Sequence, residues 1–403
     1  MTDLLRKTVN AARRIVDRMN RGADPNGKRA GRKRARRAVV TEEEFQFLSV
    51  RQLMWRKFRR NRMALVGGVV LILMYLIVTF AGFFSPYGPR SANAQFTFAP
   101  PQRLRFHDPE SGRWHLRPFV YRMTSERNLE TFSMEYGEDR SVKDFVYLFE
   151  RGDEYTLFGS VTADLHLFGT RSGTIYLMGT DERGRDVLSR ILFGGRISMT
   201  VGLLGVAITV VLGSVIGTLS GYYGGAFDSI MQRLIELLRS FPQLAMWMAL
   251  SAAIPPTWPS VWVYVGIVVV LGFINWTQLG RELRGKVLSL KEQDYVLAAE
   301  AVGASTPRIL FRHLIPNMAS HIIVTATLSI PVMIIGESSL SFLGIGVKPP
   351  MVSWGLMLSQ ARKIQVLALY PWMLFPGLFI LLAVMAYNFL GDGFRDMVDP
   401  FSK

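Results

Sequence analysis

The strongest constraint on this chain is a set of long apolar stretches without charged residues. The first of them runs from Met63 to Phe84 and contains no Asp, Glu, Lys or Arg. A helix of about 20 such residues crosses the hydrocarbon core of a bilayer. With 403 residues, 49% of them hydrophobic, the length alone would allow several soluble domains. The apolar residues come in blocks, however, and this distribution predicts a membrane protein.

The apolar pattern recurs along the chain and predicts an all-α membrane fold with six transmembrane helices. The predicted spans are Met63–Phe84, Met199–Ser220, Asp228–Leu250, Val261–Trp276, Met318–Ile335 and Tyr370–Leu390. The last five of these spans lie in residues 177–403, which we expect to form one helical core.

Charge is distributed unevenly around the first span. Residues 1–62 hold 19 Lys and Arg against 6 Asp and Glu, whereas residues 88–198 hold 15 of each sign. A basic flank favours a cytoplasmic N-terminus, and six spans return the C-terminus to the same side. We expect residues 1–48 to form a basic, largely unstructured arm, and residues 49–89 an interfacial segment followed by the first helix. A basic arm of this kind can bind nucleic acid or anionic lipid. Because nothing folded accompanies it, no nucleic-acid partner is predicted.

Residues 90–176 differ from the rest of the chain and predict a small β-rich, extracytoplasmic insert. They are polar, with aromatic residues alternating in short runs. Glu110-Ser111-Gly112 predicts a hairpin turn between two such runs. Two later runs, Asp144–Phe149 and Tyr155–Phe158, are expected to be separate strands divided at Arg151-Gly152-Asp153.

No catalytic or metal site is predicted. The chain has no cysteine, and its histidines are not spaced like metal ligands. Residues Gly280–Lys286 have the spacing of a phosphate-binding loop, but Val287 replaces the required Ser or Thr and no strand precedes them. We therefore expect no cofactor in this chain, and any energy from ATP must enter through a partner.

A segment of mixed polarity, Lys291–Asn317, lies between two apolar spans and predicts a helical hairpin. One face of its first helix carries small or apolar residues at i, i+3, i+4 and i+7, namely Tyr295, Ala298, Ala299 and Val302. Gly303 is expected to end that helix, and Thr306 to cap a second helix with Pro307 in its first turn. That second helix presents His313 and should stop near Pro316. An ordinary amphipathic loop helix explains the periodicity equally well.

The residues of this hairpin resemble the cytoplasmic coupling loop of the membrane subunits of ATP-binding-cassette (ABC) importers. The family motif is Glu-Ala-Ala, three residues, Gly, nine residues and Ile-x-Leu-Pro. Here Ala298, Ala299, Gly303 and Pro316 match it, while Leu297, His313 and Ile315 replace its Glu, Ile and Leu. The resemblance implies that residues 281–317 contact an ATPase subunit, and Glu300 is included among the candidate contact residues.

Three further motifs resemble the same family: a string from Gly179, the pattern of Arg, an acid three residues on and Pro six further on, and LSFLGIG from Leu340. The string GTDERGRDVLSR, which begins at Gly179, resembles the start of the core in peptide and nickel importer permeases. Its candidate extracytoplasmic contact residues are Asp181, Arg185 and Asp186, although the charges of this string can also satisfy one another. The candidate pore or gate residues are Arg233, Glu236, Pro242 and Glu337. A glutamate near the end of a span is a functional candidate, because its burial is costly, or a carboxylate held by neighbouring serines.

The combined resemblance implies the second, C-type permease subunit of a dipeptide, oligopeptide or nickel importer with the type I fold. Such a subunit pairs with a second permease in a bacterial inner membrane. Two ATPase subunits, which bind ATP and Mg²⁺, lie below, and a solute-binding protein docks outside. The expected substrate is a peptide, with nickel or another small solute as the alternative. A secondary transporter would require paired acids across inverted repeats, and an intramembrane protease a nucleophile–base constellation; neither pattern is evident.

Overall fold

The computed structural model describes residues 50–129, 134–157, 159–171 and 173–398. The predicted basic arm at 1–48 and the last five residues lie outside this part of the chain. The chain divides into two units, Met1–Arg60 and Asn61–Lys403. In the first unit the described element is α1 (Val50–Arg60), in which the rings of Trp55 and Phe58 stack with centroids 5.9 Å apart.

Helices dominate the second unit. In chain order they are α2 (Arg62–Thr79), α3 (Ala81–Phe84), α4 (Val187–Tyr223), α5 (Gly225–Ser240), α6 (Gln243–Ala252), α7 (Ser260–Leu290), α8 (Asp294–Ala301), α9 (Thr306–Arg308), α10 (Ile315–Phe342), α11 (Trp354–Gln360), α12 (Ile364–Leu369) and α13 (Phe375–Val398). Short 3-10 turns occupy Ala94–Phe96 and Pro371–Leu374, and a π-helical stretch, Ile309–Leu314, joins α9 to α10.

Among the described residues, five helical segments are long and apolar enough to cross a membrane. They are Arg62–Thr79, Val187–Tyr223, Ser260–Leu290, Thr306–Phe342 and Pro371–Val398. Their outward faces carry exposed apolar side chains such as Ile72 and Val211, as expected of helices that face lipid. The chain is therefore a multi-pass membrane protein with a helical fold.

The predicted count of six continuous spans is not confirmed, because the predicted span Asp228–Leu250 is broken at Pro242. Proline lacks the N–H that an uninterrupted helix needs at this point. The break separates α5, of 16 residues, from α6, of 10 residues. A 10-residue helix is about 15 Å long, which is roughly half the thickness of the hydrocarbon core.

A four-stranded antiparallel sheet lies between the first and second apolar helices. It consists of β1 (Arg105–His107), β2 (Trp114–Arg127), β3 (Met134–Leu157) and β4 (Val161–Thr170), paired in chain order. His107 pairs with Trp114, so the predicted turn at 110–112 does join two strands. The expected division at 151–153 is wrong: β3 continues through it, with an irregularity in its pairing to β4 between Arg151 and Tyr155.

Asp108 joins the first three elements of the sheet. Its carboxylate is buried and accepts hydrogen bonds from Lys143, from Ser111 Oγ at 2.5 Å and from Tyr121 Oη at 2.6 Å. The ion pair with Lys143 and these donors lower the pKa of Asp108. The insert is thus a folded structure with its own buried polar centre.

The core of the helical unit lies where α4, α7, α10 and α13 pack together. Its fully buried side chains include Met199, Ile267 and Met333. The short helix α11 also enters this core: Trp354 is fully buried, and its Nε1 donates to the carbonyl of Ile191 at 2.9 Å. This short helix is therefore packed against α4.

The tightest helix contact joins α4 to α7 at two glycines. A Cβ atom added to Gly217 would lie 2.4 Å from the carbonyl oxygen of Gly280. Glycine at this position lets the two backbones touch, which is how helices associate in lipid.

We expect Gly217→Ala to destabilise the fold by about 1–3 kcal/mol, because the added methyl group overpacks a backbone contact. The measurement is the thermal midpoint of the detergent-purified chain, followed by size-exclusion chromatography. Gly285→Ala is the matched control, since a Cβ there meets no atom within 4 Å. Equal midpoints for the two variants would contradict this packing.

Candidate functional site

The coupling hairpin, residues 291–317, begins where α7 ends and is built around Gly303. Helix α8 ends in a Schellman motif: the Gly303 N–H donates to Glu300 O at 2.9 Å, and the Ala304 N–H to Ala299 O at 3.0 Å. Gly303 has φ +80°, a conformation that side chains with a Cβ disfavour. The glycine therefore fixes the angle between the two halves of the hairpin.

The inner side of the hairpin is an apolar cluster that anchors it to the bundle. Val296 and Leu314 are fully buried against Leu283 and Val287 of α7. Ile309, Leu310 and Met318 belong to the same cluster. The hairpin is therefore a rigid extension of α7 and α10.

The outer side of the hairpin leaves apolar residues exposed. The side chain of Val302 is 84% exposed, Tyr295 and Ala298 are exposed, and Ala299 is half-buried. These four residues are the stripe that the sequence predicts, and the structure places most of it on the surface. Pro307 is exposed beside it.

The second half of the hairpin differs in two ways from its sequence prediction. Ser305 rather than Thr306 precedes the helix. The helix does not stop near Pro316 but passes through it into α10, because the π-helical stretch Ile309–Leu314 widens the turns just before the proline. His313 packs near the ring of Tyr295, at a centroid distance of 6.5 Å.

Glu300 connects the hairpin to α4. Its Oε1 accepts a hydrogen bond from Tyr222 Oη at 2.9 Å. Glu300 lies off the exposed apolar stripe, and this contact gives it a defined structural partner. The coupling hairpin is thus attached to a third helix besides the two that it connects.

A polar cavity of about 420 Å³ lies among α5, α6, α7 and α10. Its polar groups are side-chain amides, hydroxyls and one guanidinium, contributed by Thr209, Arg239, Gln243, Asn275, Thr277, Gln278, Thr325 and Ser329. Gln243 Nε2 donates to Asn275 Oδ1 at 2.8 Å, and Arg239 donates to Gln278. The lining of the cavity offers both donors and acceptors without a net negative charge.

A second polar contact links α7 to α10 on the hairpin side of the cavity. Glu282 Oε2 lies 3.1 Å from His321 Nε2 and accepts a hydrogen bond from Thr325 Oγ1 at 3.3 Å. Gln278 also donates to Glu282, so the polar groups continue from the cavity lining to this contact. We refer to these residues as the α7–α10 clasp.

The cavity was not predicted from the sequence, although the sequence contains a pattern for it. Polar residues recur at 275, 278 and 282 in α7 and at 321, 325 and 329 in α10. Spacings of three and four residues place each set on one face of its helix. A polar stripe within an apolar span is the feature that identifies the cavity.

None of the residues predicted for the pore or gate lines this cavity, although Pro242 lies at its edge. Arg233 and Glu236 form an ion pair of 2.9 Å on the exposed face of α5. Pro242 directly precedes α6 and is exposed, next to the cavity residues Phe241 and Gln243. The proline separates α5 from α6 at the edge of the cavity.

Glu337 lies fully buried near the end of α10, surrounded by serines. Its carboxylate accepts hydrogen bonds from Ser341 Oγ at 2.7 Å and Ser198 Oγ at 3.2 Å. Ser198 Oγ in turn accepts from the Trp354 N–H at 3.0 Å. The glutamate therefore binds α10, α4 and α11 together.

The predicted extracytoplasmic contact residues form the entry to α4. Asp181 is buried and pairs with Arg185 at 2.8 Å and with Arg190. Asp186 caps α4, accepting from the Ser189 N–H at 2.8 Å. Burial raises the pKa of Asp186 to about 6, against the lowering effect of its hydrogen bonds to Ser189. Asp181 and Asp186 are thus enclosed in the structure rather than displayed on its surface.

Comparisons with known proteins agree with this architecture. The family described as "Binding-protein-dependent transport system inner membrane component" matches residues 213–403, and "N-terminal TM domain of oligopeptide transport permease C" matches residues 49–101. The oligopeptide transport system permease protein OppC of Escherichia coli is 41% identical over 226 residues, which are 56% of this chain and 72% of the relative. OppC of Bacillus subtilis is 37% identical over 223 residues, 55% of this chain and 70% of the relative. The dipeptide transport system permease protein DppC of Alkalihalophilus pseudofirmus is 39% identical over 226 residues, 56% and 72%.

The fold and these matches define a membrane subunit of a binding-protein-dependent transporter. The chain belongs to the ABC-importer permease family, as a C-type subunit of its oligopeptide and dipeptide branch. A subunit of this family is a transport component that works within a complex.

We expect Asn275→Leu to slow transport while leaving assembly intact. The substitution removes the acceptor of Gln243 and one polar group of the cavity. A hydrogen bond of this kind contributes about 1 kcal/mol, so uptake should fall roughly fivefold. Uptake by the reconstituted complex is the measurement. Asn388→Leu, on an exposed face of α13 outside the cavity, is the control and should transport normally. Equal uptake by both variants would remove the cavity from the transport path.

Proposed function

We propose that this chain forms half of the pore of an ABC importer for peptides. The observation that supports this most directly is the lining of the cavity between α5, α6, α7 and α10. Its amides and hydroxyls offer the donors and acceptors that a peptide backbone can exchange for water. The relatives named as oligopeptide and dipeptide permeases support the same substrate class.

The coupling hairpin is the proposed docking site for an ATPase subunit. Its exposed apolar residue Val302 and its small residue Ala298 suit a close contact with another protein. ATP and Mg²⁺ belong to two partner ATPase subunits, and this chain is not itself an enzyme. The phosphate-loop spacing at Gly280–Lys286 lies inside helix α7, where the backbone N–H groups are used by the helix and do not form a phosphate cradle.

The broken pair α5 and α6 is the proposed sixth span, with Pro242 at the break. A span of this kind tolerates interruption because the freed backbone groups line a polar cavity. The sixth crossing places both termini in the cytoplasm and the β-sheet insert outside the bacterial inner membrane. There the insert faces a solute-binding protein, and a second permease subunit completes the pore.

Val302→Asp should abolish association with the ATPase subunits and reduce peptide uptake at least tenfold. The side chain of Val302 is largely exposed in this chain, so the fold should persist. Association should be lost because the aspartate would place an unpaired charge in the buried interface. Co-purification of the ATPase subunits and peptide uptake by the complex are the measurements.

Leu116→Asp is the control, because it makes the same change at a side chain that is 99% exposed on β2. Its ATPase association should equal that of the wild type. Normal association of Val302→Asp would place the ATPase contact elsewhere, and uptake of nickel without peptide would overturn the substrate assignment.

The proposed topology can be tested with single cysteines, because the chain has none of its own. In intact spheroplasts a membrane-impermeant thiol reagent should label Leu116→Cys in the insert and spare Ser305→Cys in the hairpin. Both positions are exposed, so both should react once the membrane is permeabilised. Labelling of Ser305→Cys but not of Leu116→Cys in intact spheroplasts would show the opposite orientation.

A further inference from the structure

Two cavities adjoin at the end of the bundle that carries the insert, and they differ in charge: one is lined by arginines alone among charged residues, and the other holds two carboxylates and two arginines. The first, of about 450 Å³, is lined by Arg90, Arg183, Arg185 and Arg190 and by no carboxylate. The second, of about 710 Å³, contains the carboxylates of Asp153 and Glu154 beside Arg90 and Arg196. The two share Pro89, Arg90 and the segment 350–352 as a common wall.

The arginine cavity has an excess of positive charge. Asp181 is the acid that holds both Arg185 and Arg190, and Arg190 is only 2% exposed. Arg185 Nη2 and Arg190 Nε are buried without a hydrogen-bond partner among the described residues, so the pairing with Asp181 does not satisfy them fully. Arg183 makes a loose contact of 3.9 Å with Glu182. Arg90 forms no ion pair within the described part of the chain.

The larger cavity has one carboxylate that is structurally engaged and one that is not. Asp153 Oδ2 accepts from the Gly88 N–H at 2.8 Å and from Ser91 Oγ, which fixes the wall of the cavity. Glu154 is exposed, and no hydrogen bond or ion pair engages its carboxylate within the described ranges. Glu154 is therefore the available acceptor for a cation in this cavity.

We propose that the two cavities form one outer vestibule that binds a short peptide in its zwitterionic form. The C-terminal carboxylate of the peptide lies in the arginine cavity, and its N-terminal ammonium group lies beside Glu154. The arrangement fits a ligand with one charge of each sign at its two ends, and a solute with a single charge uses only half of it. This assignment rests on the proposed function and specifies how that substrate is recognised.

The test compares three peptides in proteoliposomes that contain the complete transporter. The probes are trialanine, its C-terminal amide and its N-acetyl derivative, and kcat/KM for uptake is measured for each. In the wild type, each modification should lower kcat/KM. Arg183→Gln should lower kcat/KM for trialanine about threefold to tenfold and leave the amide almost unchanged. Glu154→Gln should lower kcat/KM for trialanine by a similar factor and leave kcat/KM for the N-acetyl peptide almost unchanged.

For each variant, kcat/KM for trialanine is divided by kcat/KM for the modified peptide, and this ratio is compared with that of the wild type. Because the solute-binding protein is the same in every measurement, its own preference cancels in this comparison. Arg183 and Glu154 are both exposed, so their substitution should leave the fold intact, and rates are normalised to the assembled complex. Arg113→Gln, an exposed arginine outside both cavities, is the control and should preserve all three rates.

Two results separate the possible failures. If trialanine is imported but each substitution lowers kcat/KM by the same factor for the modified and unmodified peptides, the vestibule is overturned while peptide import stands. If the wild-type complex imports none of the three peptides, the proposed function fails and the vestibule fails with it.

Discussion

The close contact between α4 and α7 is the interaction on which the rest of the molecule depends. The backbones meet at Gly217 and Gly280, and again where a Cβ on Gly272 would lie 2.8 Å from the carbonyl oxygen of Gly205. Thr209 Oγ1 adds an interhelical hydrogen bond to Gly272 O at 3.2 Å. In lipid there is no hydrophobic drive to bring helices together, so such contacts supply the stability. Helix α7 carries the amides of the cavity at its centre and the coupling hairpin at its end, so its position sets both.

The hairpin is attached to three helices of the bundle. Its apolar cluster packs against α7, Glu300 binds Tyr222 of α4, and the helix continues through Pro316 into α10. If an ATPase subunit docks at Val302 as proposed, these contacts would let α4, α7 and α10 respond together, as a rigid-body transition requires. The α7–α10 clasp, Glu282 with His321, lies between the hairpin and the cavity.

The sequence was sufficient where one local rule decides the structure. The uncharged stretch after Met63 crosses the membrane, the turn at 110–112 joins two strands, and Gly303 takes the positive φ of a helix end. It was insufficient where two rules compete. Pro242 breaks a helix that hydropathy alone would continue, whereas Pro316 is absorbed by a π-helical stretch.

The polar cavity was not predicted for a different reason. Asn275, Gln278 and Thr325 belong to different helices, and their meeting depends on how α7 and α10 pack. Each residue taken alone is an ordinary polar side chain in an apolar span. The spacing of the polar residues shows only that they share one face of their helix. Which other helix that face meets is determined by the glycine contact that orients α7. Residues whose role depends on tertiary packing are therefore the ones that sequence patterns leave open.

The distribution of charge along the bundle follows from the cost of burying ions in a membrane. Asp181 is neutralised by Arg185 and Arg190, and Glu337 is held by serine hydroxyls. These groups consolidate the structure, because an unpaired charge at such depth would be expensive. The cavity lining contains neutral amides and hydroxyls, together with Arg239, which donates to Gln278. A path that must release its substrate works best with many weak contacts, since strong binding would stop conduction. If the proposed vestibule binds the charged ends of a peptide, charge–charge recognition is confined to the outer cavities, and the polar cavity among the helices makes the weaker contacts.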